Sequence, residues 1–131
     1  MNHVTLEDVR QYLPESAQEI ALIIGVENLE RFIKEFGGTT FKFSKGRNFT
    51  ELKNVIGEEL AEKIQNYFAN EEVYIPLCQT ALRVLRNYRI KADFIYYTQD
   101  QGLSGRKSML HLAPKYQLSN RTLWEIIKNT R

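Results

Sequence analysis

The hydrophobic pattern of the chain first follows helical spacing and then changes to alternation. Apolar residues recur every three to four positions between residues 17 and 24 and again between residues 29 and 36, with Gly25 between the two runs. This spacing predicts two helices, and the alternation of polar and apolar side chains over residues 39–43 predicts a short strand. Ahead of them, residues 5–8 have the form of a capping box and predict a short first helix that Pro14 ends.

The same succession of patterns returns 32 positions later. Ile24-Gly25 corresponds to Ile56-Gly57, and Phe36 corresponds to Phe68. The order helix, glycine, helix, turn, strand predicts an internal repeat over about residues 15–44 and 47–76. Two short strands form a marginal sheet on their own, so the strands are expected to pair with each other, with a partner chain, or with both.

The helices and strands of residues 1–76 are interpreted as a dimerisation domain. Two amphipathic helix pairs with short strands leave more apolar edge than one small unit easily covers, which predicts a homodimer. The candidate dimerisation residues are apolar side chains of the helix predicted over residues 29–36 and of the strands: Phe32, Phe36, Phe41, Phe43, Val73 and Ile75.

The last part of the chain, residues 77–131, is predicted to be a second, DNA-binding domain. Its pattern indicates a supporting helix over 77–92, a flexible connection over 96–105 that is rich in glycine and polar residues, and a helix-turn-helix over 108–128. The predicted fold is therefore mainly α, with two short β-strands. An ordinary αα-hairpin is the alternative interpretation of residues 108–128.

Three residues set expectations for the backbone of the predicted helix-turn-helix. Ser119 is a good capping residue where the second helix would start. Gln117 occupies the turn position where glycine is common, so either its backbone is left-handed or the turn has another shape. Pro114 predicts a kink in the first helix, or a first helix that begins late enough for Pro114 to lie in its first turn.

The charge distribution favours contact with a polyanion. Residues 79–131 carry ten Lys or Arg against three acids, a balance of +7, whereas residues 1–78 carry eight basic against thirteen acidic side chains, a balance of −5. In the second helix of the predicted helix-turn-helix, Asn120 and Arg121 are candidates for contact with base edges, and Ser119 and Lys128 are candidates for contact with phosphates. The full set of candidate DNA-binding residues is Lys107, Lys115, Ser119, Asn120, Arg121, Trp124, Glu125, Lys128 and Tyr74. Trp124 is at least as well suited to pack against the supporting helix.

Short motifs carry a family resemblance from about residue 13 to residue 128. They are Leu13-Pro-Glu-Ser16, Ile24-Gly25, Phe36-Gly-Gly38, Glu72-Val-Tyr-Ile-Pro76, Arg86-Asn-Tyr-Arg-Ile90 with Asp93-Phe94, Leu112-Ala-Pro-Lys-Tyr-Gln-Leu-Ser119 and Thr122-Leu-Trp-Glu-Ile126. In these motifs the chain resembles the Mor (middle operon regulator) family of phage and prophage transcription activators. The resemblance implies an intertwined homodimer, activation by contact with RNA polymerase, and a strand whose exposed side chains, here Glu72 and Tyr74, approach the minor groove.

Other classes of function have less support in the sequence. A protein-binding module, in which the C-terminal hairpin is only structural, is the main alternative. An enzyme is a weaker one, because no nucleophile has an evident base nearby and no glycine-rich phosphate loop is present. No metal or cofactor site is predicted, since His3 and His111 are far apart and Cys78 is the single cysteine. Without an apolar run of membrane-spanning length or a signal pattern, the protein is expected to be cytoplasmic.

Overall fold

The structure is a computed structural model that describes residues 2–44 and 46–130. It divides into two compact units. The N-terminal unit is Thr5–Ala81, and the C-terminal unit consists of the described residues of Met1–Val4 and Leu82–Arg131. The described residues are mainly helical, with one pair of short antiparallel strands, so the mainly α class predicted from the sequence is confirmed.

The N-terminal unit begins with a short 3₁₀-helical segment. Two pairs of helices follow, and a single glycine separates the helices of each pair. The 3₁₀ segment is Leu6–Tyr12, and its capping box forms as predicted: Thr5 N donates to Asp8 Oδ2 over 2.9 Å, and Thr5 Oγ1 accepts from the backbone of Glu7. The other elements follow in the order α1 (Glu15–Ile24), α2 (Val26–Phe36), β1 (Thr40–Lys42), α3 (Arg47–Ile56), α4 (Glu58–Phe68) and β2 (Glu72–Tyr74).

Gly25 and Gly57 separate the helices of each pair, and they do so with the same backbone conformation. Their φ/ψ angles are 86°/152° and 88°/161°, a region that side chains strongly disfavour. Each glycine also donates its N–H to the carbonyl four residues back, at 2.8 Å in both cases. A single glycine is therefore enough to end one helix and start the next in a new direction.

The two strands pair with each other within one chain. The register is antiparallel, with Thr40 opposite Tyr74, Phe41 opposite Val73 and Lys42 opposite Glu72. Because side chains alternate across a strand, Phe41 and Val73 lie on the inner face, while the other four side chains are exposed on the outer face.

The side chains predicted to form a dimer interface belong to the core of the single chain. Phe32, Phe41 and Phe43 are buried, and neighbouring rings contact one another, with centroids 6.4 Å apart for Phe32–Phe41 and 4.8 Å for Phe41–Phe43. Phe36 and Ile75 are buried as well, and Val73 is half-buried. Their apolar surface is covered because the two copies of the repeat pack against each other, an arrangement that periodicity alone leaves open.

The C-terminal unit contains three helices. They are α5 (Gln79–Ile95), of which the residues from Leu82 onward belong to this unit, α6 (Gly105–Tyr116) and α7 (Asn120–Asn129). The end of α5 continues as a π-helical turn over Tyr96–Asp100, so the flexible connection predicted over 96–105 is wrong for half of its length. Thr98 Oγ1 donates to the Phe94 carbonyl over 2.8 Å, and Gln101 N donates to the Tyr96 carbonyl over 3.0 Å. These hydrogen bonds stabilise the π-helical turn, although the polar composition of the segment is typical of a flexible loop.

The three helices enclose a small apolar core. Its buried members are Ile90 of α5, Met109 and Leu112 of α6, and Leu123 and Ile127 of α7. Phe94, Ala113, Tyr116 and Leu118 pack around them.

The backbone of the turn between α6 and α7 follows one of the two expected solutions. Gln117 is left-handed, with φ 54° and ψ 46°. Pro114 lies in the last turn of α6, which begins at Gly105, so the expectation of a late start for this helix is wrong. The proline has no N–H to donate to the Leu110 carbonyl, and Leu110 lies at the exposed surface of α6.

Candidate nucleic-acid interface

The first turn of α7 is capped and open to solvent. Ser119 has the extended backbone of an N-cap, and its Oγ accepts a hydrogen bond from the backbone N–H of Thr122 over 3.2 Å. Asn120 and Arg121 follow directly and are exposed, with the Arg121 side chain 90% accessible. The predicted cap is confirmed, and it presents an amide and a guanidinium at the positive end of the helix dipole.

The candidate residues on α7 share one face of the helix. At 100° per residue, Asn120, Arg121, Trp124, Glu125 and Lys128 fall within an arc of roughly 140°. All five are exposed, while Leu123 and Ile127 lie outside this arc and point into the core. Arg121 Nε lies 3.8 Å from Glu125 Oε1. An exposed pair at this distance is weak, so the guanidinium remains available to a ligand.

Trp124 has a packing role within the C-terminal unit. Its ring meets Phe94 of α5 edge to face, with centroids 5.4 Å apart. Gly105 lies directly beneath it, since a Cβ at that position would come within 2.6 Å of Trp124 Cη2. Even so, 43% of Trp124 remains accessible. The indole thus packs α7 against the start of α6 and the end of α5. Part of the ring remains exposed to solvent on the face that carries the candidate DNA-binding residues.

Two of the predicted basic residues on α6 differ in their surroundings. Lys107 is exposed, next to the exposed Arg106 in the first turn. Lys115, by contrast, has its Nζ 2.7 Å from Asp93 Oδ2, in an ion pair whose lysine side chain is 53% accessible. The ammonium group of Lys115 is therefore already paired with a carboxylate, whereas Lys107 and Arg106 lie exposed at the surface.

Asp93 joins three segments of the C-terminal unit. Its carboxylate accepts hydrogen bonds from Lys115 Nζ, from Tyr116 Oη over 2.6 Å and from Asn2 Nδ2 over 3.0 Å. Asn2 also donates to the carbonyl of Arg89 over 2.8 Å. Asp93 thereby ties the start of the chain and the end of α6 to α5. Sequence reasoning missed this role, because the partners are 91, 22 and 23 positions away and give no local signal.

These hydrogen bonds also determine the ionisation of Asp93. Burial on its own would raise the pKa of Asp93, but the hydrogen bonds from Lys115, Tyr116 and Asn2 outweigh it, and the pKa is lowered below the ordinary 3.8. In turn, burial and the bond to Asp93 raise the pKa of Tyr116. Because the folded pKa of Asp93 is depressed, its contribution to stability is present above pH 3.8 and is lost as pH falls through the folded value.

Replacing Asp93 with Asn should destabilise the C-terminal unit at neutral pH. Asp93→Asn should lower the free energy of unfolding by about 1.5–3 kcal/mol, because charged hydrogen bonds to Lys115 and Tyr116 are weakened. Urea unfolding at pH 7 and at about pH 3 measures this, and the difference from wild type should shrink at the acidic pH. Asp100→Asn is the control, since Asp100 is an exposed acid in the adjoining π-helical turn. Equal effects of the two variants would contradict the role assigned to Asp93.

Lys91 holds the other end of α7, and sequence reasoning missed this contact too. Its Nζ donates to the carbonyl of Ile127 over 2.8 Å. A cation there satisfies a free carbonyl and complements the negative end of the helix dipole. Both ends of α7 are thus fixed, at the N-terminus by Ser119 and at the C-terminus by Lys91.

Tyr74 lies on the N-terminal unit, on the outer face of the strand pair. It is exposed there, opposite Thr40. On the same face, the register puts Lys42 directly opposite Glu72, so a positive charge flanks that carboxylate.

Among the residues that the structure describes, the site holds no candidate metal-binding group of three or more His, Cys, Asp or Glu side chains. Within the same residues, no helix has both the length and the apolar character needed to cross a membrane. The arrangement on α7 can present hydrogen-bond donors and positive charge to a ligand.

Comparison with known proteins identifies the class to which the chain belongs, which is that of transcription activators. The model of the Mor transcription activator family matches residues 44–131, which is 88 of the 131 residues. The chain therefore belongs to the Mor transcription activator family, as its motifs indicate. No curated protein and no solved structure matches it.

Proposed function

We propose that this protein is a sequence-specific double-stranded DNA-binding regulator that activates transcription through a helix-turn-helix formed by α6 and α7. The observation that carries the proposal is the capped and exposed first turn of α7, with Asn120 and Arg121 on one face above a buried Leu123. In helix-turn-helix proteins the N-terminal end of the second helix enters the major groove. Membership of an activator family supports the regulatory part of the proposal.

Each exposed residue of the face has a distinct role in this proposal. Arg121 offers the planar donor fork that suits guanine, and Asn120 offers the amide that suits adenine. Ser119, Lys107 and Lys128 contact phosphates, which position the helix without reading sequence. Lys115 contributes less, because Asp93 already holds its ammonium group.

The remaining candidates follow from the fold and the family. Trp124 supports α7 mainly by packing, and Glu125 makes only a weak ion pair with Arg121. Tyr74 on the strand pair is a candidate for contact with the minor groove, and RNA polymerase is the proposed partner in activation. If the C-terminal hairpin binds no DNA, the alternative that remains is a protein-binding module.

Two alanine variants separate base reading from phosphate contact. Arg121→Ala should cost about 1–3 kcal/mol on the preferred site and relax the base preference at one position, with random duplex affected less. Lys128→Ala lies two turns further along α7 and should weaken both duplexes alike, while the salt slope falls by about 1 for each lost phosphate contact.

The measurement is duplex binding at several salt concentrations, with the preferred site obtained by selection from a random pool. Leu110→Ala is the matched control, because Leu110 is 76% accessible on the outer side of α6 and carries no charge. If Arg121→Ala lowers both affinities by the same factor, Arg121 contacts phosphate, and base reading moves to Asn120 or Glu125. If neither substitution changes binding, α7 does not read DNA.

A further inference from the structure

The two copies of the repeat have the same elements at one constant offset. Helices α1 and α3, helices α2 and α4, and strands β1 and β2 are each separated by 32 positions at both of their ends. Buried residues correspond in the same way: Phe36 pairs with Phe68, Ile24 with Ile56, and Phe43 with Ile75. The N-terminal unit therefore contains two equivalent halves, residues 15–42 and 47–74.

Backbone hydrogen bonds between the halves are symmetric. Phe43 N donates to the Glu71 carbonyl over 3.1 Å, and its equivalent, Ile75 N, donates to the Thr39 carbonyl over 2.8 Å. Asn70 N likewise donates to the Phe43 carbonyl over 2.9 Å, and the equivalent bond runs from Gly38 N to the Ile75 carbonyl over 2.6 Å. Each bond becomes its counterpart when the two halves are exchanged.

Strand register and helix packing follow the same exchange. Thr40 lies opposite Tyr74 and Lys42 lies opposite Glu72, so the two pairs interchange under the offset of 32, and Phe41 lies opposite its own equivalent, Val73. Similarly, α1 packs against α4, and α2 packs against α3. These relations define a pseudo-two-fold axis between Phe41 and Val73, which is the symmetry of an isologous dimer interface.

We propose that the N-terminal unit is an internal pseudo-dimer, and that the chain consequently acts as a monomer that carries one DNA-reading helix to a non-palindromic site. A second chain would need to pair with a strand and helices that the other half of the same chain already covers. Only residues 43–46 separate β1 from α3, and so short a link gives an effective concentration in the millimolar range. Pairing within the chain therefore prevails over pairing between chains at micromolar concentration.

The DNA part of this inference rests on the proposed function. An isologous dimer presents two readers related by a two-fold axis, and its sites are palindromic for that reason. In this chain the pseudo-two-fold relates residues 15–42 to 47–74, while α7 occurs once. One reader per assembly predicts one recognition element per site, with no inverted copy.

The first test is the mass of the full chain in solution. Sedimentation equilibrium at about 1 to 50 micromolar should give the monomer mass of 15.4 kDa throughout. Twice that mass over this range would overturn the internal pseudo-dimer.

A cross-strand disulfide tests whether the strands pair within a chain. Thr40 and Tyr74 face each other in a pair that does not exchange backbone bonds, where Cα atoms are about 4.5 Å apart and a disulfide fits. In the full chain, Thr40→Cys with Tyr74→Cys and Cys78→Ser should oxidise to a cross-linked monomer. A covalent dimer would overturn the inference, and Thr40→Cys with Cys78→Ser alone measures the background of random cross-linking.

Selection of duplexes from a random pool, followed by the mass of the complex, tests the DNA part. A single asymmetric element bound by one chain supports the inference, and an inverted repeat bound by two chains overturns it. If the chain sediments as a monomer and retains no duplex, the internal pseudo-dimer stands, while the proposed function and the single-site inference that rests on it both fail.

Discussion

Replacing Leu123 with Asp should unfold the C-terminal unit. Leu123 of α7 is fully buried in the core that α7 forms with α5 and α6, and truncating such a leucine costs about 2–5 kcal/mol before any charge is considered. An aspartate there would also be an unpaired charge against apolar side chains, and we expect a total loss of at least about 4 kcal/mol. Circular dichroism during urea unfolding should show the loss, and specific DNA binding should disappear with it.

The matched control for Leu123→Asp is Leu110→Asp. The substitution is the same, but Leu110 lies at the surface of α6, so its stability should change by no more than about 0.5 kcal/mol. If both variants fold and bind DNA like wild type, the core assigned to α5, α6 and α7 is wrong.

Replacing Phe32 with Ala should destabilise the N-terminal unit by about 3–5 kcal/mol. Phe32 is fully buried, and its ring lies 5.3 Å from that of Phe36. Because the lost contacts are within one chain, the unfolding midpoints of wild type and variant should not depend on protein concentration. Urea unfolding at concentrations that differ by about fiftyfold provides the measurement.

The control for Phe32→Ala is Leu22→Ala in the neighbouring helix α1. Leu22 is one of the most exposed apolar residues, so its truncation should leave the midpoint nearly unchanged. A midpoint that rises with protein concentration would show that a second chain covers Phe32, which contradicts the intrachain core.

The sequence was sufficient to predict the elements of the N-terminal unit, because each element carries its own local signal. Gly25 and Gly57 interrupt helical spacing at positions where only glycine adopts the observed φ without strain. The choice of partner for each strand was not predictable in the same way. An apolar strand face fits another half of the same chain as well as it fits a second chain, and only the three-dimensional packing of the two halves shows which partner it has.

In the candidate interface too, contacts between residues close in sequence were predictable, and contacts between distant residues were not. Ser119 was predictable as a cap, since its hydrogen bond reaches only to Thr122. The left-handed backbone of Gln117 was one of the two shapes that its position in the turn allowed. In contrast, Lys115 looked like a free cation because Asp93 is 22 positions away, and Lys91 gave no sign of its bond to the end of α7.

The π-helical turn at the end of α5 could not be predicted from amino-acid composition alone. Glycine and polar residues from Tyr96 onward suggest a flexible linker, but the Thr98 side chain donates a hydrogen bond back to the Phe94 carbonyl of α5. A polar side chain with a backbone acceptor nearby can stabilise a regular turn, so a polar segment is not always a flexible one.

The central claim, that α7 reads a DNA sequence in the major groove, is tested most directly by affinity cleavage from that helix. Burial raises the pKa of Cys78 to about 11, so its thiol stays protonated and reacts slowly with alkylating reagents at neutral pH. An iron chelate can therefore be attached selectively to a cysteine introduced by Glu125→Cys on the exposed face. On the selected duplex, we predict strand scission confined to a few adjacent nucleotides within the recognition element, and even scission along a duplex without it. Uniform scission on both duplexes would contradict the claim.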